Sequence, residues 1–312
     1  MKVTVQICSM NRKKLLKRAL EALFVQTFDK DDFEIIVVDD GSVDGTSEMV
    51  TEMAKDSPCS LKLITQEHAG LAAGRNKAIR AASGDIMIFI DDDIIADPHF
   101  IEEHVKSHER HPKCVIMGWV NHTPNLERRV PKFCMADIST SFFWTSNVSV
   151  ERKYLLEVGL FDEDFKEYGW EDLELGRRLK KHGLRRKYNF KAIVFHYKGH
   201  WKKGDIPRLI NQARAKARTA VLFLEKDKSF KVRLSTAVYA PRMWVNGLLN
   251  MNDNGIRFCE KVISRQKEDE PLKGFALTCA RNLISFHYFK EIESELKKQA
   301  AAKGRESDEK DR

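Results

Sequence analysis

The first 120 residues alternate between apolar strand-like runs and helical segments, and this alternation restricts the fold more than any other feature of the chain. The segments between the runs carry apolar residues at helical spacing. Such alternation favours right-handed crossover connections and a mostly parallel sheet with helices on both faces, so the predicted fold class is α/β. The runs that we predict as buried strands are Val3–Cys8, Phe33–Val38, Leu61–Thr65, Ile86–Ile90 and Val115–Val120.

Helix signals complete this outline. Asn11 is expected to cap the first helix and Asp205 a late helix over Ile206–Leu224. A polar loop with two prolines follows the fifth run. The remaining predicted helices are Thr46–Lys55, Leu71–Ala82, Pro98–His111 and Asp172–His182, and two further strands are predicted at Ser146–Val150 and Ala192–His196.

Composition indicates a soluble globular protein. Charged residues make up 32% of the chain, and no apolar run approaches the roughly 20 residues of a membrane span. The N-terminus enters a strand pattern without a signal-peptide core, and the six cysteines are scattered, so we expect reduced thiols and a cytoplasmic location.

Three successive carboxylates, Asp91, Asp92 and Asp93, directly follow the fourth apolar run. Adjacent carboxylates repel one another, so a compact fold tolerates them best beside a cation. Oxygen ligands of this kind suit Mg²⁺ or Mn²⁺ bound to a phosphate. A solvated acidic turn that closes the strand is the alternative reading of the triplet.

Polar clusters also follow the first and second runs. The first ends in Ser9, Asn11 and Arg12, and the second in Asp39 and Asp40. Ligands of open α/β sheets bind beyond the carboxyl ends of the strands, so we expect these clusters and the Asp triplet at one edge. Local turn hydrogen bonds are the alternative role for the two aspartates.

A loop of small residues opens the third predicted helix. It spans residues 67–76 and reads EHAGLAAGRN. Backbone N–H groups at such a helix start attract phosphate, and Arg75 adds a planar cation. The loop is neither the GxGxxG fingerprint of dinucleotide-binding folds nor a P-loop, so hydride transfer and ATP hydrolysis lack their usual signatures.

The chain resembles the inverting nucleotide-sugar glycosyltransferases of family 2, which have the GT-A fold, in six segments: VVDDGSVDGT, HAGLAAGRN, FIDDD, SNVSV, GLFDEDF and YGWEDLELGRRLKKHG. The likeness runs from about Val3 to Trp201 and lies in the order and spacing of the segments. It implies a Rossmann-like GT-A unit followed by a C-terminal helical segment. It also implies transfer of a sugar from a nucleoside diphosphate, with UDP as the expected nucleotide and Mn²⁺ or Mg²⁺ as the cofactor.

The resemblance further implies roles for the donor-side residues. Asp39 would contact the nucleobase and ribose, and Arg75 the donor. Asp91 and Asp93 would form the Asp-x-Asp pair that holds the metal on the diphosphate, with Asp92 beside the ribose. The family usually has Thr or Pro-Thr where this chain has Cys8-Ser9, which leaves the contact from strand one open. The other predicted donor-binding residues are Ser9, Asn11, Arg12, Asp40 and Asn147.

The resemblance assigns the catalytic base to Asp172, with Glu171 orienting the acceptor. Transfer needs a base that takes the proton of an acceptor hydroxyl as it attacks the anomeric carbon. A carboxylate at a helix N-terminus is expected to stay ionised, as a base must be. N-capping and pairing with the helix dipole alone are the alternative roles.

His196 and Asn147 each have two readings. By resemblance, His196 is a third metal ligand and Asn147 lies near the donor sugar. A core hydrogen bond for His196 and closure of a strand by Asn147 are the alternatives.

Domain limits and partners complete the sequence predictions. Residues 206–242 hold nine basic side chains against two acidic ones, which suits either a solvated helix or contact with an anionic membrane at its inner face. The acceptor is expected to be a glycan or a lipid-linked glycan, as in cell-envelope polysaccharide synthesis, and nucleic acid is not expected. The predicted divisions are 1–120 for nucleotide-sugar binding, 121–203 for the acceptor and catalysis, 204–303 for a basic helical region and 304–312 for a disordered tail.

Two rival functions remain open on the sequence. A sugar-phosphate nucleotidyltransferase shares the layered sheet and metal carboxylates, but would need a basic Gly-rich loop after strand one, where this chain has Ser9 to Arg12 without glycine. A non-catalytic nucleotide-sugar-binding protein would lack the base or the metal motif, and both are present.

Overall fold

The computed structural model describes residues 1–310 except 126, 128, 129, 133, 135–138 and 240–253. The chain forms two compact units, of which the first comprises Met1–Lys166 and Glu171–Gly199 and the second Glu167–Trp170 and His200–Arg312. Residues 240–242 of the predicted membrane segment and 311–312 of the predicted tail lie outside the described residues.

The first unit is built on one eight-stranded sheet with the order β3-β2-β1-β4-β7-β6-β8-β5. Strands β1 to β4 pair in parallel, as do β6 and β8, while β7 and β5 run antiparallel to their neighbours. The predicted α/β class is therefore confirmed. The strands are β1 (Val3–Ser9), β2 (Phe33–Asp40), β3 (Ser60–Gln66), β4 (Ile86–Phe89), β5 (Ile94–Ala96), β6 (Cys114–Thr123), β7 (Val148–Glu151) and β8 (Arg185–Tyr197).

Helices cover both faces of this sheet, and side-chain alternation along the strands explains why. Val3, Val5 and Ile7 belong to one buried apolar cluster, whereas Ile36 and Val38 of the neighbouring strand belong to another. Since successive strand residues point to opposite faces, each face needs its own helical cover. The helices of this unit are α1 (Lys13–Phe24), α2 (Thr46–Lys55), α3 (Leu71–Ala81), α4 (Phe100–Arg110), α5 (Arg152–Glu157) and α6 (Glu171–Lys181).

Strand direction gathers distant segments at one edge. Strands β1, β2 and β4 are parallel, so their carboxyl ends meet there. Strand β7 is antiparallel to β4 and pairs Val148 with Phe89, so the residues before β7 arrive at the same edge. Strand β8 pairs His196 with Ile94, directly after the Asp triplet. The sheet therefore places segments near residues 9, 40, 91, 146 and 196 close to one another.

The second unit is helical in its described part. A 3₁₀ turn at Lys203–Asp205 leads into α7 (Ile206–Lys226), and α8 (Phe230–Ser235), α9 (Asn254–Ser264) and α10 (Gly274–Lys310) follow. The backbone is helical as far as Lys310, whereas the sequence predicted a disordered tail from 304. Four of the seven residues from 304 to 310 are Glu, Lys or Arg, which favour helix. No helix in the described part of the chain is long and apolar enough to span a membrane.

Local details differ from the sequence predictions. Helix α1 follows Arg12, and the Asn11 side chain accepts from the Val43 N–H at 2.8 Å instead of capping. Asp205 accepts from the Lys202 N–H at 2.9 Å, so its side chain does not cap α7. Strand β5 and helix α5 were not predicted, because three and six residues are too short to show a period.

Candidate active site

The Asp triplet lies against the end of β1. Asp92 accepts from Ser9 Oγ at 2.7 Å and from Arg12 Nη1 at 2.8 Å, while Arg12 Nη2 lies 2.7 Å from Asp93 Oδ2. Burial raises the pKa of Asp92 to about 7, although Arg12 opposes the shift. Ser9 and Arg12 are thus brought to the triplet, and the Arg12 side chain remains 41% exposed.

Arg75 connects the triplet to the start of α6. Its guanidinium is buried, with Nη1 2.6 Å from Glu171 Oε1 and Nη2 3.8 Å from Asp91 Oδ1. Nη2 also donates to Thr145 Oγ1 at 2.8 Å. Arg75, on the helix that follows β3, therefore joins Asp91 to Glu171, which lies 96 residues after Arg75 in the chain.

Asp172 occupies the first turn of α6 beside Glu171. Burial, followed by the negative charge of Glu171, raises the pKa of Asp172 to about 7. The Leu173 N–H donates to Asp172 Oδ1 at 2.7 Å and acts in the opposite direction, as does Arg75. Burial therefore opposes the ionised state that the helix N-terminus is expected to favour. A carboxylate with this pKa is well suited to accept a proton near neutral pH.

His196 lies beside Asp93, as strand pairing requires. Its Nε2 is 3.2 Å from Asp93 Oδ1, and this contact raises the pKa of His196 against the effect of burial. Two ligands at about 2.1 Å from one octahedral ion are separated by a similar distance, so these atoms fit neighbouring positions around Mn²⁺ or Mg²⁺. Cation binding would then displace the imidazole proton.

Asp93 and His196 alone do not complete the coordination of a divalent metal ion. Among the described residues, no three His, Cys, Asp or Glu side chains stand together as a metal-binding cluster. Asp91 Oδ2 accepts instead from Ser146 Oγ at 2.5 Å. Mg²⁺ and Mn²⁺ commonly take one or two protein carboxylates and complete their shell with water and phosphate oxygens, so Asp93 and His196 fit such an ion.

The two aspartates at the end of β2 both accept hydrogen bonds from backbone N–H groups. Asp39 accepts from the Ser42 N–H at 3.0 Å and from Ser47 Oγ. Asp40 accepts from the N–H groups of Ala69 and Gly70 at 2.8 and 3.1 Å, and thereby fixes the small-residue loop. Gly70 is required there, since its φ is +91° and an added Cβ would lie 2.3 Å from the Lys166 carbonyl oxygen. These contacts favour local turn bonding for Asp39 but not for Asp40, whose two backbone partners lie 29 and 30 residues away in the chain.

Asn147 is fully buried beneath the edge. Its Nδ2 donates to the Ala192 carbonyl at 3.0 Å and to the Trp119 carbonyl at 3.3 Å, and its Oδ1 lies 2.9 Å from His104 Nε2. Of its two readings, this geometry favours closure of the strand.

The sequence analysis missed Thr145 and Ser146, whose hydroxyls contact Arg75 and Asp91. The available signal was their position, since Thr145 directly precedes the SNVSV segment and Ser146 is its first residue. It also missed His122, whose ring lies 5.2 Å from that of His196. No sequence pattern distinguishes that histidine from others.

A family comparison identifies the chain. The model of the family described as "Glycosyl transferase family 2" matches residues 4–159, which is half of the chain. The chain belongs to glycosyl transferase family 2. The predicted assignment to this family, and to enzymes that transfer glycosyl groups, is confirmed.

Curated relatives agree with this glycosyltransferase assignment. The uncharacterised glycosyltransferase YfnE of Bacillus subtilis is 32% identical over 59% of this chain and 62% of its own length. Validoxylamine A glucosyltransferase of Streptomyces hygroscopicus subsp. limoneus is 32% identical over 58% of this chain and 48% of its own length. The chain thus spans less than two thirds of these relatives.

Solved structures show the same fold, GT-A. A mannosyltransferase of Pyrobaculum calidifontis in complex with GDP-Man and Mn²⁺ matches 94% of this chain and 86% of its own, with a TM-score of 0.62 and 18% identity. S. aureus TarS 1-349 in complex with UDP matches 95% and 92%, with a TM-score of 0.53 and 18% identity. Both neighbours were crystallised with nucleotide ligands, and the first also with a divalent metal.

Proposed function

We propose that this chain is a metal-dependent, inverting glycosyltransferase that moves a sugar from a nucleoside diphosphate to an acceptor hydroxyl. The observation that carries the proposal is the buried contact of Arg75 with both Asp91 and Glu171. It joins the acids after β4 to the helix start that carries Asp172. The nucleotides in the solved neighbours, GDP-Man and UDP, support a nucleotide-sugar donor, and we keep UDP as the expected nucleotide.

Asp172 is the proposed general base. In a single displacement the acceptor oxygen forms a bond to the anomeric carbon, the bond from that carbon to the diphosphate oxygen breaks, and the hydroxyl proton passes to the Asp172 carboxylate. The raised pKa of Asp172 suits this transfer, since the protonated product is then stable near neutral pH. Glu171 holds Arg75, and through it the donor side of the site.

Asp93 and His196 are the residues that would hold the metal. A bound Mn²⁺ or Mg²⁺ would neutralise charge that develops on the departing diphosphate. Arg12, half-exposed and already at the triplet, is the side chain that we assign to the same diphosphate.

A ligand and turnover panel tests the proposal. UDP-, GDP- and dTDP-sugars are added with and without Mn²⁺, and the unfolding temperature is followed, since a ligand that binds the native state raises it. A shift with one nucleotide class that requires Mn²⁺, followed by transfer to an acceptor with inverted configuration, supports the proposal. Retention at the anomeric carbon, or binding that is unchanged by EDTA, contradicts it.

We also propose that the second unit contacts an anionic membrane, but through α8 and not through α7. Two basic residues of α7 are engaged inside the unit, since Arg218 pairs with Glu291 at 2.7 Å and Lys216 lies over the Trp170 ring. In α8, Phe230 and Leu234 are 69% and 55% exposed and lie one turn apart.

Basic residues surround this apolar pair. Lys228, Lys231 and Arg233 are all exposed, while Val232 is buried and anchors the helix. Apolar side chains flanked by Lys and Arg suit the interface of an anionic bilayer, where each basic residue contributes about 1 kcal/mol.

Vesicle flotation tests this surface. The wild-type protein should float with phosphatidylserine vesicles and not with phosphatidylcholine vesicles, and the F230S/L234S double variant should lose this binding. Val43→Ser removes an even more exposed apolar side chain from the first unit and serves as the control. Equal flotation of wild type and double variant contradicts the proposal.

A further inference from the structure

A chain of four buried polar side chains lies behind the candidate site. His108 Nε2 is 2.8 Å from Ser149 Oγ, which is 2.7 Å from His104 Nδ1. His104 Nε2 is 2.9 Å from Asn147 Oδ1. All four residues are at most 5% exposed, so water does not replace these contacts.

The hydrogen bonds of this chain can run in one direction only. Asn147 Nδ2 donates to two carbonyl oxygens, so its Oδ1 must accept, and His104 Nε2 must carry the hydrogen. Neutral His104 then accepts at Nδ1 from the Ser149 hydroxyl. Ser149 Oγ in turn accepts from the Nε2–H of His108. Both histidines are therefore neutral Nε2–H tautomers, and burial lowers the pKa of each, to about 3 for His104 and about 4 for His108.

Asn147 links this chain to the site through a tight turn. Its N–H donates to the Trp144 carbonyl at 3.2 Å, which encloses Thr145 and Ser146 at the turn tip. Those two hydroxyls contact Arg75 Nη2 and Asp91 Oδ2. Gly118 packs so closely on the Asn147 side chain that an added Cβ would lie 2.3 Å from Oδ1, so the absence of a side chain at Gly118 leaves the space that the Asn147 amide occupies.

We propose that His104 is a positioning residue: by donating to Asn147 it fixes the turn that holds Thr145 against Arg75 and Ser146 against Asp91, and thereby sets the affinity for the nucleotide donor. This inference rests on the proposed function, since Arg75 and Asp91 are donor-side residues there. Removal of the His104 Nε2–H leaves Asn147 Oδ1 buried without a hydrogen-bond partner, which is costly enough to move the Asn147 amide.

Two variants at position 104 separate the hydrogen bond from the packing. His104→Leu removes the Nε2–H that bonds to Asn147, and His104→Gln replaces it with an amide N–H at similar reach. We expect Leu to raise the donor KM and the Kd for UDP or GDP with Mn²⁺ at least roughly tenfold, because small misplacements of binding groups are costly. The KM and Kd of His104→Gln should stay within about threefold of the wild-type values, since its amide N–H restores the hydrogen bond to Asn147.

Val105→Ala is the matched control. Val105 is buried on the same helix and packs in the apolar core, so its truncation lowers the unfolding temperature without touching the polar chain. Its donor KM should equal that of wild type. An increased donor KM in Val105→Ala overturns the inference, because the KM would then follow the loss of stability. An unchanged donor KM in His104→Leu overturns it as well, because His104 would then have no effect on donor affinity.

Spectra of the histidine rings give a test that is independent of activity. Nitrogen-15 NMR should show the Nε2–H tautomer for both His104 and His108, and an Nδ1–H tautomer for either contradicts the deduced direction. The proposed function fails separately: wild-type protein that neither binds UDP or GDP nor transfers sugar overturns it, and with it the link to donor affinity. Wild-type binding and transfer with an unaffected His104→Leu variant overturns only the role of His104.

Discussion

Arg75 and Glu171 form a buried ion pair, with Nη1 and Oε1 2.6 Å apart and side chains that are 4% and 6% exposed. The pair joins α3 to α6, which are almost 100 residues apart in sequence. In the part of the chain that the structure describes, Glu171 Oε2 has no hydrogen-bond partner. Arg75 is therefore the group that compensates the desolvated charge of Glu171.

Loss of one member of this pair should destabilise the fold strongly. Arg75→Met leaves a buried carboxylate without its cation, and Glu171→Met leaves a buried guanidinium without its main counter-charge, so we expect each to cost about 3–5 kcal/mol. The R75M/E171M double variant should cost clearly less than the sum. Urea unfolding of the four proteins measures this cycle, and additive costs would show that the pair is not coupled.

Asp172→Asn should abolish transfer while donor binding persists. The amide keeps the size of the side chain but cannot accept the acceptor proton, so we expect kcat to fall on the order of 10²–10⁴-fold. Nucleotide Kd should remain within about twofold, since donor-side contacts are unchanged. Single-turnover rates and calorimetric titration measure the two quantities. Asp162→Asn, on the loop before α6, is a control that should retain turnover.

Asp172 should also make the stability of the protein fall as the pH rises. The folded-state pKa of Asp172 is raised to about 7 by burial and Glu171, above its ordinary value of about 4. Between these values the folded state binds more protons than the unfolded state, so this group lowers stability as pH rises. Asp172→Asn removes the effect, so its gain in unfolding temperature over wild type should be larger at pH 8 than at pH 5. An equal gain at both would contradict the raised pKa.

The sequence allowed prediction of the sheet and of the donor side, because both depend on local pattern. Apolar runs bounded by helices define the strands, and parallel strands bring their carboxyl ends together, so Ser9, Arg12 and the Asp triplet could be expected in contact. The family resemblance implied His196 as a third metal ligand, and its Nε2 lies 3.2 Å from Asp93 Oδ1.

The remaining features depend on tertiary packing that no local pattern encodes. Asp40 anchors the small-residue loop through Ala69 and Gly70, and Asn147 binds three elements, because the fold buries both side chains among backbone polar groups. The raised pKa of Asp172 follows from desolvation, which a sequence motif does not report. For the same reason the internal partners of Lys216 and Arg218 were not foreseen.

Loss of the Asp93 carboxylate should weaken metal binding. Asp93→Asn leaves a neutral amide beside His196, so we expect the Mn²⁺ affinity measured by electron paramagnetic resonance to fall roughly 10–100-fold. His196→Ala should act in the same direction, while His99→Ala, an exposed histidine on the same unit, should bind Mn²⁺ as wild type does. An unchanged Mn²⁺ affinity in Asp93→Asn would remove Asp93 from the metal site.

Far from the site, Glu34 should control the acid stability of the sheet. It lies on β2 with 4% exposure and accepts from Thr4 Oγ1 at 2.7 Å, from Lys62 Nζ at 2.6 Å and from the Ser83 N–H at 2.6 Å. Burial acts to raise its pKa, but these donors outweigh it and lower the pKa of Glu34 to about 2. The unfolded value is about 4.3, so the ionised group stabilises the fold above that pH by roughly 2–3 kcal/mol.

This stabilisation should disappear as the pH falls from about 4.5 towards 2, because the folded state then has to take up the proton it excluded. Glu34→Gln should be less stable than wild type at pH 6, and the difference in unfolding free energy should shrink at pH 3. Glu52→Gln, an exposed helical glutamate paired only with Lys55 in the described contacts, should show little difference at either pH. A Glu34→Gln difference that stays constant from pH 6 to pH 3 would mean that the hydrogen bonds to Glu34, and not its charge, carry the stabilisation.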